Sequence, residues 1–215
     1  DYKAAFVLNN LSLTNTAGPA IDIEDGKAIS VTLTGTNTLA DAAGGTHNAT
    51  LYINGHPTFS GTGSLTLTGL TKHAFTSDEY AVIAGGTINV TSAASDGFHI
   101  NERFQMDGGT LSITASGDGI DVGFRGANKG TKDQYERNGF LELNGGTITA
   151  SCSGQGAKAL KADSTIVIAG ATVTATTSAD AYYDATSADI SSSSAVKADG
   201  EFRMTSGTLT ATSTG

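Results

Sequence analysis

The chain has one cysteine, no tryptophan, two prolines and few charged side chains, 15% of its 215 residues. A lone cysteine, Cys152, excludes an internal disulfide framework and a cysteine-built zinc site. It shares parity with Ile148 and Ala150, which reads as a small buried hydrophobe rather than a nucleophile. No run of 18 apolar residues is present, so the sequence contains no membrane-spanning helix. A net charge of −9 without a basic stripe argues against nucleic acid as a partner. Aromatic residues at only 7% argue against a broad platform for crystalline polysaccharide. The opening residues do not read as a signal peptide. The chain opens on the alternating AAFVLNNLSLTNT and closes on LTATSTG, which predicts a domain cut from a longer precursor.

What is present is a repeat. The signature apolar-x-apolar-x-Gly-Gly-Thr-apolar-x-apolar reads VIAGGTINV at 82–90, FQMDGGTLSI at 104–113 and FLELNGGTITA at 140–150. Weaker copies are TIVIAGATVTA at 165–175 and EFRMTSGTLTA at 201–211. Their threonines, 87, 110, 147, 172 and 208, are spaced by 23, 37, 25 and 36, and Ser64 of GTGSLTLTG adds another 23. A unit of about two dozen residues, twice enlarged by insertion, points to a solenoid of β-coils. Leucine-rich repeats would need a Leu/Asn framework, and propeller blades a longer unit. Regular alternation of β-branched and apolar residues argues against disorder. The reading is all-β: a single-stranded, right-handed parallel β-helix of about seven coils in one domain, 1–215. Glycine serves its sharp corners.

Alignment of the coils turns sequence repeats into columns. Ile21, Leu51, Phe75, Phe98, Ile120, Leu160 and Val196 fill one inward row, and Ile23, Ile53, Ser77, Ile100, Val122, Ala162 and Ala198 the next. Between them an outward column runs Asp22, Tyr52, Thr76, His99, Asp121, Lys161, Lys197. Beyond it runs Glu24, Asn54, Asp78, Asn101, Gly123, Asp163, Asp199, and before the inward rows stand His73, Asp96, Asp118, Lys158 and Ser194. Stacked carboxylates about 5 Å apart repel unless a cation, a raised pKa or N–H donors relieve them. Each Asp-Gly is also ordinary turn chemistry. For the column as a whole, oxygen ligands on adjacent coils suit calcium better than magnesium or zinc. Asp96, Asp118, Asp121, Asn101, Asp163 and Asp199 are the candidate ligands, with Asp118 and Asp121 first. His99 reads as a surface or ligand-contacting residue.

Lys161 and Lys197 fall in register, each with an Asp two residues on, Asp163 and Asp199. They form either a charge-balancing ladder or, with Lys158, a short basic patch for a ligand bearing carboxylates. Two insertions flank this surface. FRGANKGTKDQYERNG, 124–139, is basic and carries Arg125 and Tyr135; TSADAYYDATSADISSSS, 177–194, carries Tyr182 and Tyr183. Long loops at one corner of a rigid solenoid are contact sites for ligand, although either can equally be a plain solvated loop.

With repeated GGT coils, ASDGFH, SGDGID, KALKAD, an AYYD loop, AVKADG and a terminal SGTLTATSTG, the chain resembles a carbohydrate-binding β-helix family typified by a clostridial cellulose- and polygalacturonate-binding protein. The resemblance covers essentially the whole chain, most clearly 73–215. It implies a pectate-lyase-like fold, bound calcium, extracellular or cell-surface placement and an acidic polysaccharide partner. It also implies that Asp96, Asp118, Asp121 and the Asp163/Asp199 pair are the positions to test for metal.

Three functions are compatible with these residues. The first is a non-catalytic, calcium-dependent module, acting as a monomer, for acidic or plant cell-wall polysaccharide. The second is a lyase acting by β-elimination, with Lys161 or Lys197 as base once its pKa is lowered. The third is a surface adhesin or structural spacer.

Overall fold

The computed structural model describes residues 2–124, 138–186 and 188–215. Among them there is no helix, and none long and apolar enough to cross a membrane. Nearly all strands join one sheet whose pairings are parallel. The partners are never sequence neighbours. Each strand pairs with its counterpart one repeat away, as a parallel β-helix requires.

Three ladders result. The first runs from Ile21 through Leu51, Phe75, Phe98, Ile120 and Leu160 to Val196, in the register expected from the repeat. The second joins Tyr80–Ile83, Arg103–Met106, Phe140–Leu143, Thr165–Thr177 and Glu201–Ser213. The third carries the GGT threonines, with Ser64, Thr87, Thr110, Thr147, Thr172 and Thr208 paired in succession. These threonines point outward, where β-branched side chains suit a pleated surface.

Strand alternation places Leu51, Phe75, Phe98, Ile120 and Leu160 inside, each almost fully buried. Phe59, Phe75, Phe98 and Phe104 form an aromatic chain through the core, with edge-on centroid separations of 5.4, 4.9 and 5.7 Å. Cys152 is buried as expected, and burial pushes its thiol up to about 12, away from nucleophilic use. The second glycine of each GGT adopts the left-handed region: φ is +88° at Gly86 and +83° at both Gly109 and Gly146. A Cβ on Gly109 would lie 2.5 Å from the Gly86 carbonyl oxygen, so the corner needs glycine for both conformation and space.

The second insertion departs from a plain loop. Tyr182–Asp184 and Asp189–Ser191 pair antiparallel, a small hairpin that packs on the solenoid through Tyr182 and Ser191. Of the first insertion, Arg125 and Tyr135 lie outside the described residues, so their expected contact with ligand is neither placed nor excluded.

Candidate functional site

The first ladder brings Thr76, His99, Asp121, Lys161 and Lys197 into one column, each paired with the next. Asp96 and Asp118 sit on adjacent coils at its corner, where the Asp118 N–H donates to Asp96 Oδ1 at 2.8 Å. The carboxylates are not bare. His99 Nδ1 lies 3.2 Å from Asp96 Oδ2 and 3.3 Å from Asp121 Oδ2. Lys161 Nζ lies 2.9 Å from Asp121 Oδ1 and 3.8 Å from Asp118 Oδ2. The Lys158 N–H donates to Asp118 Oδ1 at 2.6 Å. From His99 through Asp121 to Lys161 base and acid alternate, so these cross-strand neighbours attract, whereas Lys161 and Lys197 are like charges in register.

Burial sharpens each charge. It would lower His99, yet hydrogen bonds to Asp121 and Asp96 outweigh it and hold the imidazole up at about 9. Burial would raise Asp96, and the imidazoles of His73 and His99 beside it overcome that and hold it below the usual carboxylate range. Asp121 is likewise held down by His99 and Lys161 against the effect of burial, and Lys161 is held up by Asp121. Asp118 is the exception. Burial, only partly offset by the Lys158 N–H, pushes its carboxyl up to about 6, and Asp96 and Asp121 add to the rise.

Beside this column the hairpin roofs a cleft of about 440 Å³, lined by Lys158, Tyr182, Asp184, Asp189, Ser194 and Lys197 among others. Such a volume is within the usual range for small-ligand sites. Lys158 forms its floor: the nine-tenths-buried side chain donates from Nζ to the Gly156 carbonyl at 2.5 Å and to Ser191 Oγ at 2.8 Å. Gly156 has φ +68°, and a Cβ there would lie 2.6 Å from the Tyr182 ring. The bare backbone thus seats the tyrosine at the rim. Tyr183 points to solvent.

Several expected placements change. Lys161 pairs with Asp121 and Asp118 rather than with Asp163, whose Oδ2 instead accepts the Phe124 N–H at 3.1 Å. The cross-strand neighbour is nearer than the residue two places along the same strand. Lys197 does pair with Asp199, at 3.1 Å. Asn101 donates its side-chain N–H to Asp78 Oδ1 at 3.0 Å. Asn101, Asp163 and Asp199 thus each have a partner outside Asp96, Asp118 and Asp121. His99, only partly exposed, lies between two carboxylates. His73, not singled out from the sequence, joins the group: its ring stacks on His99 at 4.4 Å and its Nδ1 lies 3.1 Å from Asp96 Oδ2.

No curated protein sequence matches the chain. Among solved structures, the fold is similar to that of the polysaccharide lyase-like protein from C. thermocellum, determined as a gadolinium derivative. The TM-score is 0.77 over 97% of this chain and 78% of that one, at 24% sequence identity, a likeness of fold. A family model described as carbohydrate-binding domain-containing protein matches residues 1–215. The chain belongs to that carbohydrate-binding domain family.

Proposed function

We propose that the chain is a non-catalytic module that binds acidic polysaccharide, of polygalacturonate type, across the first ladder and into the cleft beneath the hairpin. The carrying observation is the cleft itself: Lys158 at its floor, Lys197 at its edge and Tyr182 at its rim. The half-exposed Lys197 ammonium suits a sugar carboxylate, Lys158 adds positive charge from the floor, and a tyrosine face suits a pyranose ring. The chain works as a monomer at the cell surface or outside the cell, where such polymers are met.

Calcium belongs to this reading. Asp118 and Asp121 would hold it, two buried carboxylates that share one lysine, with Lys161 swinging aside. Oxygen donors of this kind suit a hard cation. When bound, calcium supplies positive charge that offsets the chain's −9 toward an anionic polymer. Asn101, Asp163 and Asp199, expected from the sequence as further ligands, already have partners of their own.

The lyase alternative gains no support from Lys161 or Lys158. A base for β-elimination must shed its proton near neutrality, whereas Asp121 holds Lys161 charged. Burial lowers Lys158, but its ammonium is engaged by Gly156 and Ser191.

Calorimetry with polygalacturonate and with neutral glycans, in calcium and in chelator, tests the reading. Binding to the acidic polymer, strengthened by calcium and without release of unsaturated product, is expected. Failure to bind any glycan in either buffer would leave the chain a structural spacer. Unsaturated product would make it a lyase.

A further inference from the structure

At the lower end of the column, two imidazole nitrogens approach one carboxylate oxygen. Nδ1 of His73 and Nδ1 of His99 lie 3.1 and 3.2 Å from the same atom, Asp96 Oδ2. All three ligand atoms fall within 4.8 Å of one another. A tetrahedral ion with zinc-like bond lengths separates its ligand atoms by about 3.3–3.5 Å. The two N···O contacts are thus already close to the edges of a metal polyhedron.

We propose that His73, Asp96 and His99 form a three-ligand site for a borderline divalent cation, zinc being the type, with a fourth position open to an oxygen of the bound polysaccharide. Only the last clause rests on the carbohydrate reading. The donor set decides the metal: imidazole nitrogen suits zinc and its transition-metal neighbours, and calcium takes oxygen. This cation is therefore distinct from calcium at Asp118 and Asp121.

The surroundings support the assignment. Asp96 is oriented by the Asp118 N–H on Oδ1, which leaves Oδ2 for the ion, the kind of outer contact that fixes metal ligands. Thr76, the ladder partner of His99, has a buried hydroxyl without a hydrogen-bond partner. His73 is almost wholly covered and His99 is 29% exposed, so the open position lies on the His99 side. Entry of the ion requires three local changes. The stacked rings, 16° from parallel, turn about Cβ–Cγ until their lone pairs converge. The 3.2 Å hydrogen bond from the Asp96 N–H to His73 Nδ1 gives way. A proton leaves His99, as binding by neutral imidazole demands.

The test is calorimetry of metal-free protein with zinc chloride and separately with calcium chloride, backed by the visible spectrum of the cobalt(II) form. The expected result is one equivalent of zinc. Its affinity should fall at least tenfold in His73→Ala and in His99→Ala, while His73→Ala leaves calcium affinity unchanged. The cobalt spectrum should report nitrogen ligation in low coordination and vanish in His73→Ala. Far-ultraviolet circular dichroism of each variant separates ligand loss from misfolding, and His73→Gln provides a second, bulk-retaining variant. No stoichiometric zinc, or zinc held equally well by both histidine variants, overturns the site. Zinc bound with no change in polysaccharide affinity overturns the open-position clause alone, and polysaccharide bound by a protein that takes no zinc leaves the carbohydrate reading intact.

Discussion

Lys161 is the side chain whose loss is most informative, because it serves two buried carboxylates at once. Its ammonium lies 2.9 Å from Asp121 and 3.8 Å from Asp118, with its own side chain 25% exposed and theirs 10% and 15%. Breaking a fully buried pair from one side costs about 3–5 kcal/mol; partial exposure and the longer second contact place Lys161→Met at about 2–3 kcal/mol at neutral pH. Part of that penalty should vanish in acid. Asp118 has a folded-state pKa of about 6, above its unfolded value. Its contribution is therefore fully present below the unfolded carboxylate pKa of about 3.9 and is lost as pH rises through about 6. Removing Lys161 raises Asp118 further, so the variant suffers most where Asp118 must ionise.

Urea unfolding in chelator, followed by circular dichroism at pH 5 and pH 8, reads this directly. The deficit of Lys161→Met relative to the parent should be larger at pH 8 and shrink at pH 5. Adding Asp121→Asn should cost less in the Lys161→Met background than in the parent, with a coupling of about 1–3 kcal/mol. A deficit below about 0.5 kcal/mol, the size typical of ordinary surface substitutions, would refute the claim that the pairing is structural. So would a deficit equal at both pH values.

Other predictions concern corner, core and cleft. Gly109→Ala combines a φ of +83° with a Cβ 2.5 Å from the Gly86 oxygen, and should cost about 2–4 kcal/mol in thermal or urea unfolding. Gly108→Ala, with its nearest contact at 3.2 Å and no positive φ, should cost clearly less. Phe98→Ala opens the aromatic chain between Phe75 and Phe104 and should cost about 3–5 kcal/mol, measured by urea midpoint. Tyr182→Ala should leave the melting temperature unchanged and weaken polygalacturonate binding about three- to tenfold, the value of one aromatic contact.

Columns were legible from the sequence because strand parity and repeat length suffice to define them. The pairs Thr76–His99, His99–Asp121, Asp121–Lys161 and Lys161–Lys197 are those expected from the GGT spacing. What a column position does not disclose is which neighbour a long side chain chooses. For Lys161 the choice follows from distance: the next coil is about 4.8 Å away, and two residues along a strand are about 6.7 Å. Asp121 therefore wins over Asp163. His73 was hidden for a different reason. Its column partner is Asp96, yet its ring lies on His99, three residues further along the next coil. Parity fails there because the chain bends between the two. A signal of that bend is present in the row Ala74, Gly97, Gly119, Ala159, Ala195, where every residue is small. A Cβ on Gly97 would meet Ile113 at 2.4 Å, and one on Gly119 would meet the Ala159 oxygen at 2.4 Å. Small residues mark the corner, and the side chains just before it swing across columns. The charges of the column then follow one rule, each coil neutralising the next, from His99 through Asp121 to Lys161. Asp118 is the carboxyl group that rule leaves short, and an ion or a ligand has most to gain there.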